Sequence, residues 1–161
     1  MKKYKQAELE EFLEESNAIE GEYSDEALEE AMEAWQFLIG RDSITIPGIL
    51  QMHKILMKTR DLKEKYKGVL RDCPVYIGGR EAMDHREIRA ALKDWCRQTN
   101  ADNPDWEALH ISYERIHPFV DGNGRTGRHL MNWTRLKKCD LPLWIIHEGV
   151  EQEEYYTWFR I

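Results

Sequence analysis

Along most of the chain, apolar residues recur at three- and four-residue intervals, the period of a helix with one buried face. Leu9, Phe12 and Leu13 form a short stripe on a strongly acidic first helix that breaks around Gly21. Ser24 predicts the cap of a second helix, whose Ala27, Leu28, Ala31, Met32, Trp35, Leu38 and Ile39 face a core before Gly40 ends it. A third is capped at Thr45 or a neighbour, with Pro47 in its first turn and Ile49, Leu50, His53, Leu56 and Met57 inside. On such a stripe His53 reads as a core histidine whose ring nitrogens are satisfied.

Residues 68–79 break the helical period. β-favouring residues bounded by glycines predict a hairpin there, turning around Asp72 to Pro74. Asp84 with Glu87 resembles a capping box and starts a helix through Ile88, Leu92 and Trp95. Asn103-Pro104 is expected to cap the helix whose Trp106, Leu109, Tyr113 and Ile116 lead to His117. Arg125 is expected to start the next helix, with Leu130, Met131 and Leu136, until Leu141-Pro142 interrupts it; a last helix holds Tyr155, Tyr156, Trp158 and Phe159. The expected fold is all-α, a helical bundle with one β-hairpin flap.

At 161 residues, 42% of them hydrophobic, the chain predicts one folded domain with a core of its own. No apolar stretch reaches membrane-spanning length, and the start Met1-Lys2-Lys3-Tyr4-Lys5 runs into acids, so no membrane and no secretory signal are expected, and the cytoplasm is the expected compartment. Cys73, Cys96 and Cys139 form no C-x-x-C pair and read as packing residues of a reducing compartment. The net charge of −7 is uneven: residues 1–34 hold 12 acids against 3 bases. With no basic stripe anywhere, nucleic acid is not an expected partner.

The densest chemistry is the run His117-Pro-Phe-Val-Asp121-Gly122-Asn123-Gly124-Arg125-Thr-Gly-Arg128. It sets a titratable base, a metal-capable carboxylate, a turn of small residues and two guanidiniums within twelve positions. A glycine turn feeding a helix leaves N–H groups unpaired at the positive end of the helix dipole, which makes an anion cradle suited to a phosphate chain. Gly122, Gly124 and Gly127 spell a dinucleotide fingerprint, but the preceding pattern is helical where that motif needs a strand; a Walker loop would need the Lys and Ser/Thr that are absent. Arginine in a first helical turn opposes the dipole unless an anion is near, which favours Arg125 as an anion ligand.

This run resembles the signature of Fic-domain proteins, His-Pro-Phe-x-Asp-Gly-Asn-Gly-Arg-x-x-Arg, with every fixed position filled. The resemblance extends from about residue 24 to 159 and implies transfer of AMP from ATP to a Ser, Thr or Tyr hydroxyl of a target protein. It implies His117 as general base, Asp121 on Mg²⁺, and Gly122, Asn123, Gly124 and Arg125 on the phosphates, the Asn123 side chain included. Arg128 would grip the γ-phosphate. Residues 68–79 would be the family's flap, with Val75 and Ile77 clamping the target, and Tyr155 or Tyr156 would contact the adenine. His129, where relatives often carry an aliphatic residue, is a departure expected to alter packing beneath the loop.

Ser16-Asn-Ala-Ile-Glu20-Gly21 is similar to the [Ser/Thr]-x-x-x-Glu-[Gly/Asn] motif of the family's restraining helix. The resemblance implies a carboxylate of Glu20 bidentate on Arg128, and a division into an inhibitory segment, residues 1–23, and a catalytic domain, residues 24–161. The competing readings are removal of AMP, transfer of another phosphate-linked group, and a non-catalytic nucleotide-binding module. Target, oligomeric state and the releasing signal have no signature in the chain.

Overall fold

The computed structural model describes residues 3–160; Met1 and Lys2 of the expected inhibitory segment, and Ile161, lie outside it. Seven helices make up the described chain: α1 (Gln6–Ile19), α2 (Asp25–Ile39), α3 (Ile46–Leu56), α4 (Ile88–Thr99), α5 (Trp106–Ile116), α6 (Asn123–Lys138) and α7 (Val150–Thr157). A two-stranded antiparallel hairpin, β1 (Tyr76–Ile77) with β2 (Arg80–Glu81), stands between α3 and α4. The all-α expectation with one hairpin holds.

Caps set several of these boundaries. The Ser24 hydroxyl accepts from Ala27 N at 3.1 Å and Thr45 accepts from Gly48 N at 3.1 Å, each satisfying an N–H that the helix leaves unpaired. Two predicted starts differ. The cap of α5 is Asp105, accepting from Ala108 N, while Asn103 lies upstream at φ +47°. Asp84 caps a short 3₁₀ turn, His85–Glu87, from which α4 then continues.

The hairpin turns at Gly78-Gly79, five residues beyond Cys73 at the centre of the expected turn. Its register pairs Tyr76 with Glu81 and Ile77 with Arg80, so Gly78-Gly79 form the turn, at φ +54° and +83°. A tight hairpin of this kind needs positive φ at both central residues, which two glycines allow and Pro74 forbids.

Helix α6 is central, packed by α1, α2, α3 and α5. Thirteen of its sixteen residues are buried, although the sequence Asn-Gly-Arg-Thr-Gly-Arg-His is polar. Most of its polar side chains are answered by a neighbour. Thr126 meets the Tyr113 hydroxyl at 2.8 Å, Thr134 meets Thr99 at 2.8 Å, and Asn132 bonds both backbone groups of Trp144. The His129 nitrogens lie 3.0 and 3.1 Å from the carbonyls of Arg125 and Ala31, with its ring tilted on Phe12. The departure at His129 thus fills the seam between α2 and α6.

Helix α1 docks on this core through Leu9, Phe12 and Leu13, all buried. At about 1.5–3 kcal/mol for each buried apolar side chain, an upper estimate, the helix is part of the core. Its last turn carries Ser16 and Glu20 to the start of α6.

Candidate active site

Helix α5 ends in an unusual way, because its C-terminal residue is His117, at φ +50° and ψ +64°. A left-handed non-glycine residue is strained by about 1–3 kcal/mol unless its surroundings impose it. Here the chain is tied on both sides: His117 N donates to Tyr113 O at 2.9 Å, and the Arg71 Nε donates to His117 O at 2.7 Å. The ring Nδ1 lies 3.2 Å from Glu114 O, a contact that fixes the tautomer with its lone pair on Nε2. Burial pushes the imidazole below its ordinary value, and the nearby Arg71 guanidinium adds to that, so the ring is a neutral base at neutral pH.

The loop that follows is built on two aromatic rings. Phe119 stacks on His53 at 3.7 Å between centroids, nearly parallel. His53 Nδ1 accepts from Gly68 N at 2.9 Å, which leaves Nε2 to donate to Asp121 O at 2.8 Å. The satisfied core histidine expected from the stripe is found, and it also props the loop. At Gly122, φ is +83° and a Cβ would stand 2.9 Å from Met57 Sδ and 3.3 Å from His53 Nε2, so this bend admits only glycine.

Two of the groups expected to meet phosphate, Asn123 and Gly122, also bond within the loop itself. The Asn123 amide staples the loop, accepting from Phe119 N and donating one N–H to Phe119 O, both at 2.8 Å, which leaves its second N–H as the one donor the side chain could offer an anion. Gly122 N donates to Asp121 Oδ1 at 2.7 Å. The first-turn N–H groups of Asn123, Gly124 and Arg125 have no acceptor within α6. Arg125 is buried with no carboxylate in salt-bridge contact among the described residues; its terminal nitrogen meets Met57 Sδ at 3.5 Å and its Nε has no partner.

Arg128 is 2% exposed, and two of its three guanidinium nitrogens are hydrogen-bonded. Nε donates to Ser16 Oγ at 2.8 Å, and one terminal nitrogen donates to Ser16 O at 2.9 Å and to Glu20 Oε1 at 2.8 Å. The carboxylate is thus held through one oxygen, not bidentate as the motif suggested, because Ser16 occupies the rest of that edge. Glu20 also lies over the helix start, since a Cβ on Gly124 would come within 2.4 Å of its Oε1. Gly21, at φ +72° with open space around it, lets the chain turn away after the carboxylate.

A cavity of about 720 Å³ joins these groups. Glu20, His117, Asp121, Gly122, Asn123, Gly124, Arg125 and Arg128 border it, with Ile77 on the flap side and Tyr155 and Tyr156 opposite. Val75 is not among its walls; its carbonyl instead accepts from Ala82 N at 2.9 Å, below the hairpin. Tyr155 is mostly core, its hydroxyl 2.7 Å from His110 Nε2, whereas Tyr156 is 41% exposed. Asp121 keeps Oδ2 open toward the cavity side, so it can offer one oxygen to a cation whose other ligands are phosphate and water. Among the described residues no group of three or more His, Cys, Asp or Glu is placed to hold a metal by itself.

Sequence reasoning missed Glu114. Its Oε2 is 3.9 Å from His117 Nδ1, its Oε1 has no hydrogen bond, and a Cβ on Gly127 would meet that oxygen at 2.6 Å. Burial pushes its carboxyl up to about 8, against the pull of Arg128 and with the help of Glu20. The i, i+3 spacing to His117 could have flagged it.

Comparison with known proteins identifies the family and the fold. The chain belongs to the Fic/DOC family, whose profile matches residues 43–134. It is 32% identical over 131 residues to the protein adenylyltransferase Fic of Drosophila erecta, and equally to that of Drosophila melanogaster; the match covers 77% of this chain and 26% of each fly protein. The chain thus spans about a quarter of the length of these relatives. Its fold is similar to Fic-1 of C. elegans, with a TM-score of 0.79 at 22% identity over 95% of this chain and 55% of the worm one. A Fic domain-containing signaling protein of Bacteroides thetaiotaomicron gives 0.76 at 21% identity, over 92% and 69%. No described helix is long and apolar enough to cross a membrane.

Proposed function

We propose that this chain is an autoinhibited protein adenylyltransferase that moves AMP from ATP to a hydroxyl on a target protein. His117 Nε2 takes the proton as the hydroxyl oxygen attacks the α-phosphorus, and pyrophosphate leaves with the cleaved bond's electron pair. The N–H groups of Asn123, Gly124 and Arg125, with the Arg125 guanidinium, meet the charge that grows on the leaving phosphates. Asp121 would hold Mg²⁺, which neutralises and orients the phosphate chain when bound. Tyr156 and Tyr155 border the adenine end, and Ile77 the target end.

The observation that carries autoinhibition is the joint hold of Ser16 and Glu20 on Arg128. The carboxylate occupies both the guanidinium meant for the γ-phosphate and the positive end of α6, so an ATP tail must displace it to lie productively. Residues 1–23 then act as the restraint and 24–161 as the catalytic domain.

ATP labelled at the α- or the γ-phosphate, with Mg²⁺, separates the readings. We expect α-label on protein, with Glu20→Gly raising self-labelling by about 5- to 150-fold, the range of a 1–3 kcal/mol coupling. Label from the γ position instead would mean phosphotransfer, and no label from either would mean a binding module. An unchanged rate in Glu20→Gly would remove the restraint from the reading.

A further inference from the structure

Arg71 sits outside the signature run, yet it bonds the backbone of His117 and of Pro118 within it. It is 3% exposed. Its Nε donates to His117 O at 2.7 Å, one terminal nitrogen donates to Cys73 O at 2.9 Å, and the other donates to Met83 O and to Ile116 O, the latter at 3.2 Å. Its own N donates to Pro118 O at 2.9 Å. No carboxylate is in salt-bridge contact with it among the described residues; the nearby Asp84 is taken by Arg86. A buried guanidinium answered only by carbonyl oxygens is costly to place, so its three-way geometry calls for an explanation.

Those carbonyls belong to three separate pieces of chain. Ile116 and His117 end α5, where carbonyls lack helical partners and a cation is favoured by the dipole. Cys73 lies on the arm entering the hairpin, and Met83 on the arm leaving it. Beyond this base, every strand residue of the hairpin is exposed, and the strands pair only with each other. The tilt of the hairpin, and with it the position of Ile77 over the cavity, is therefore set where the two arms meet Arg71.

We propose that Arg71 is a positioning residue that bolts both arms of the flap to the backbone of His117, so that the hydroxyl presented by the flap and the base that deprotonates it keep a fixed separation. Only a planar fork with donors on three nitrogens can reach all three pieces at once. A lysine at this position would carry the charge but reach one arm at most. This inference rests on reading His117 as the base and the hairpin as the target rest.

Arg71→Lys and Arg71→Met in the Glu20→Gly background test it by three measurements. We expect amide exchange across residues 76–81 to quicken about tenfold or more. Self-labelling from α-labelled ATP should fall about 100-fold, the loss that a misplacement of about 1 Å brings, with MgATP affinity within about threefold of the parent. Arg71→Lys should recover thermal stability without recovering transfer. Unchanged hairpin exchange would overturn the bolt. So would labelling, ATP affinity and melting temperature falling together in both variants, since that is the mark of core support alone. If the Glu20→Gly parent itself transfers no AMP, the proposed function fails, and hairpin exchange decides the bolt on its own.

Discussion

The loop and helix from Phe119 to Leu136 and the hairpin from Tyr76 to Glu81 border the same cavity but are built on opposite terms. In the first, polar groups are buried and paired one by one: Asn123 on Phe119, His53 on Asp121, Thr126 on Tyr113, Arg128 on Ser16 and Glu20. In the second, all four strand residues are exposed and only backbone pairing and a clasp at the base hold them. A fully satisfied buried network is rigid because any shift strands a polar group, whereas an exposed ribbon bends at little cost. The contrast gives the loop and α6 a fixed geometry and leaves the hairpin room to adapt only beyond the base that Arg71 clasps.

The largest effect should come from the rigid side. His117→Ala is expected to lower AMP transfer by about 10²- to 10⁴-fold while leaving the melting temperature nearly unchanged, because the ring is only partly buried and closes no network. A single-turnover assay of the Glu20→Gly parent with and without this change reads it; transfer within a fewfold of the parent would move the base elsewhere.

Next come props of the loop. His53→Leu would strand Gly68 N and the Asp121 carbonyl and lose the stack on Phe119, so a loss of about 2–4 kcal/mol is expected in urea unfolding. A loss under about 0.5 kcal/mol would show that the loop relaxes as freely as the hairpin.

The rigid side should also carry an acid signature. His53, His110 and His129 are each depressed by burial from 6.5, to about 4, 3 and 4. A depressed histidine contributes stability that is full above its unfolded value and is lost as the pH falls through its folded one. In a Glu114→Gln background, which removes the carboxyl raised to about 8 and its opposing loss of stability with rising pH, unfolding free energy should therefore be steady above about pH 6.5 and decline progressively toward pH 3. A flat profile across that range would mean these rings are not held neutral.

The smallest effect on stability belongs to the flap. Tyr76→Ala, at a side chain 67% exposed, should change unfolding free energy by no more than about 0.5 kcal/mol. A cost above about 1 kcal/mol would mean that the hairpin is as much a part of the core as α6, and the contrast would fail.

Much of this was legible in order along the chain. Ser24 and Thr45 announce their helices because a cap acts within three residues, and the stripes of α1 to α3 announce a core because burial follows the helical period. The twelve-residue run names the candidate base, carboxylate and arginines, and the resemblance of Ser16 to Gly21 to the family's motif names the candidate restraint. The hairpin turn was misplaced because the positive-φ need of Gly78-Gly79 outweighs the turn chemistry of Asp72 to Pro74.

By itself the sequence determined what local rules govern: which segments coil, where most of them stop, and which reactive side chains lie within a turn of one another. The tertiary structure alone decided that α6, polar by composition, is the buried centre, that the Asn123 amide staples its own loop, that Glu20 reaches Arg128 through a single oxygen, and that Glu114 and Arg71 flank His117. Each of these depends on which partner across the fold meets a hydrogen-bonding group, and desolvation makes that pairing decisive while leaving no periodic trace in the order of residues.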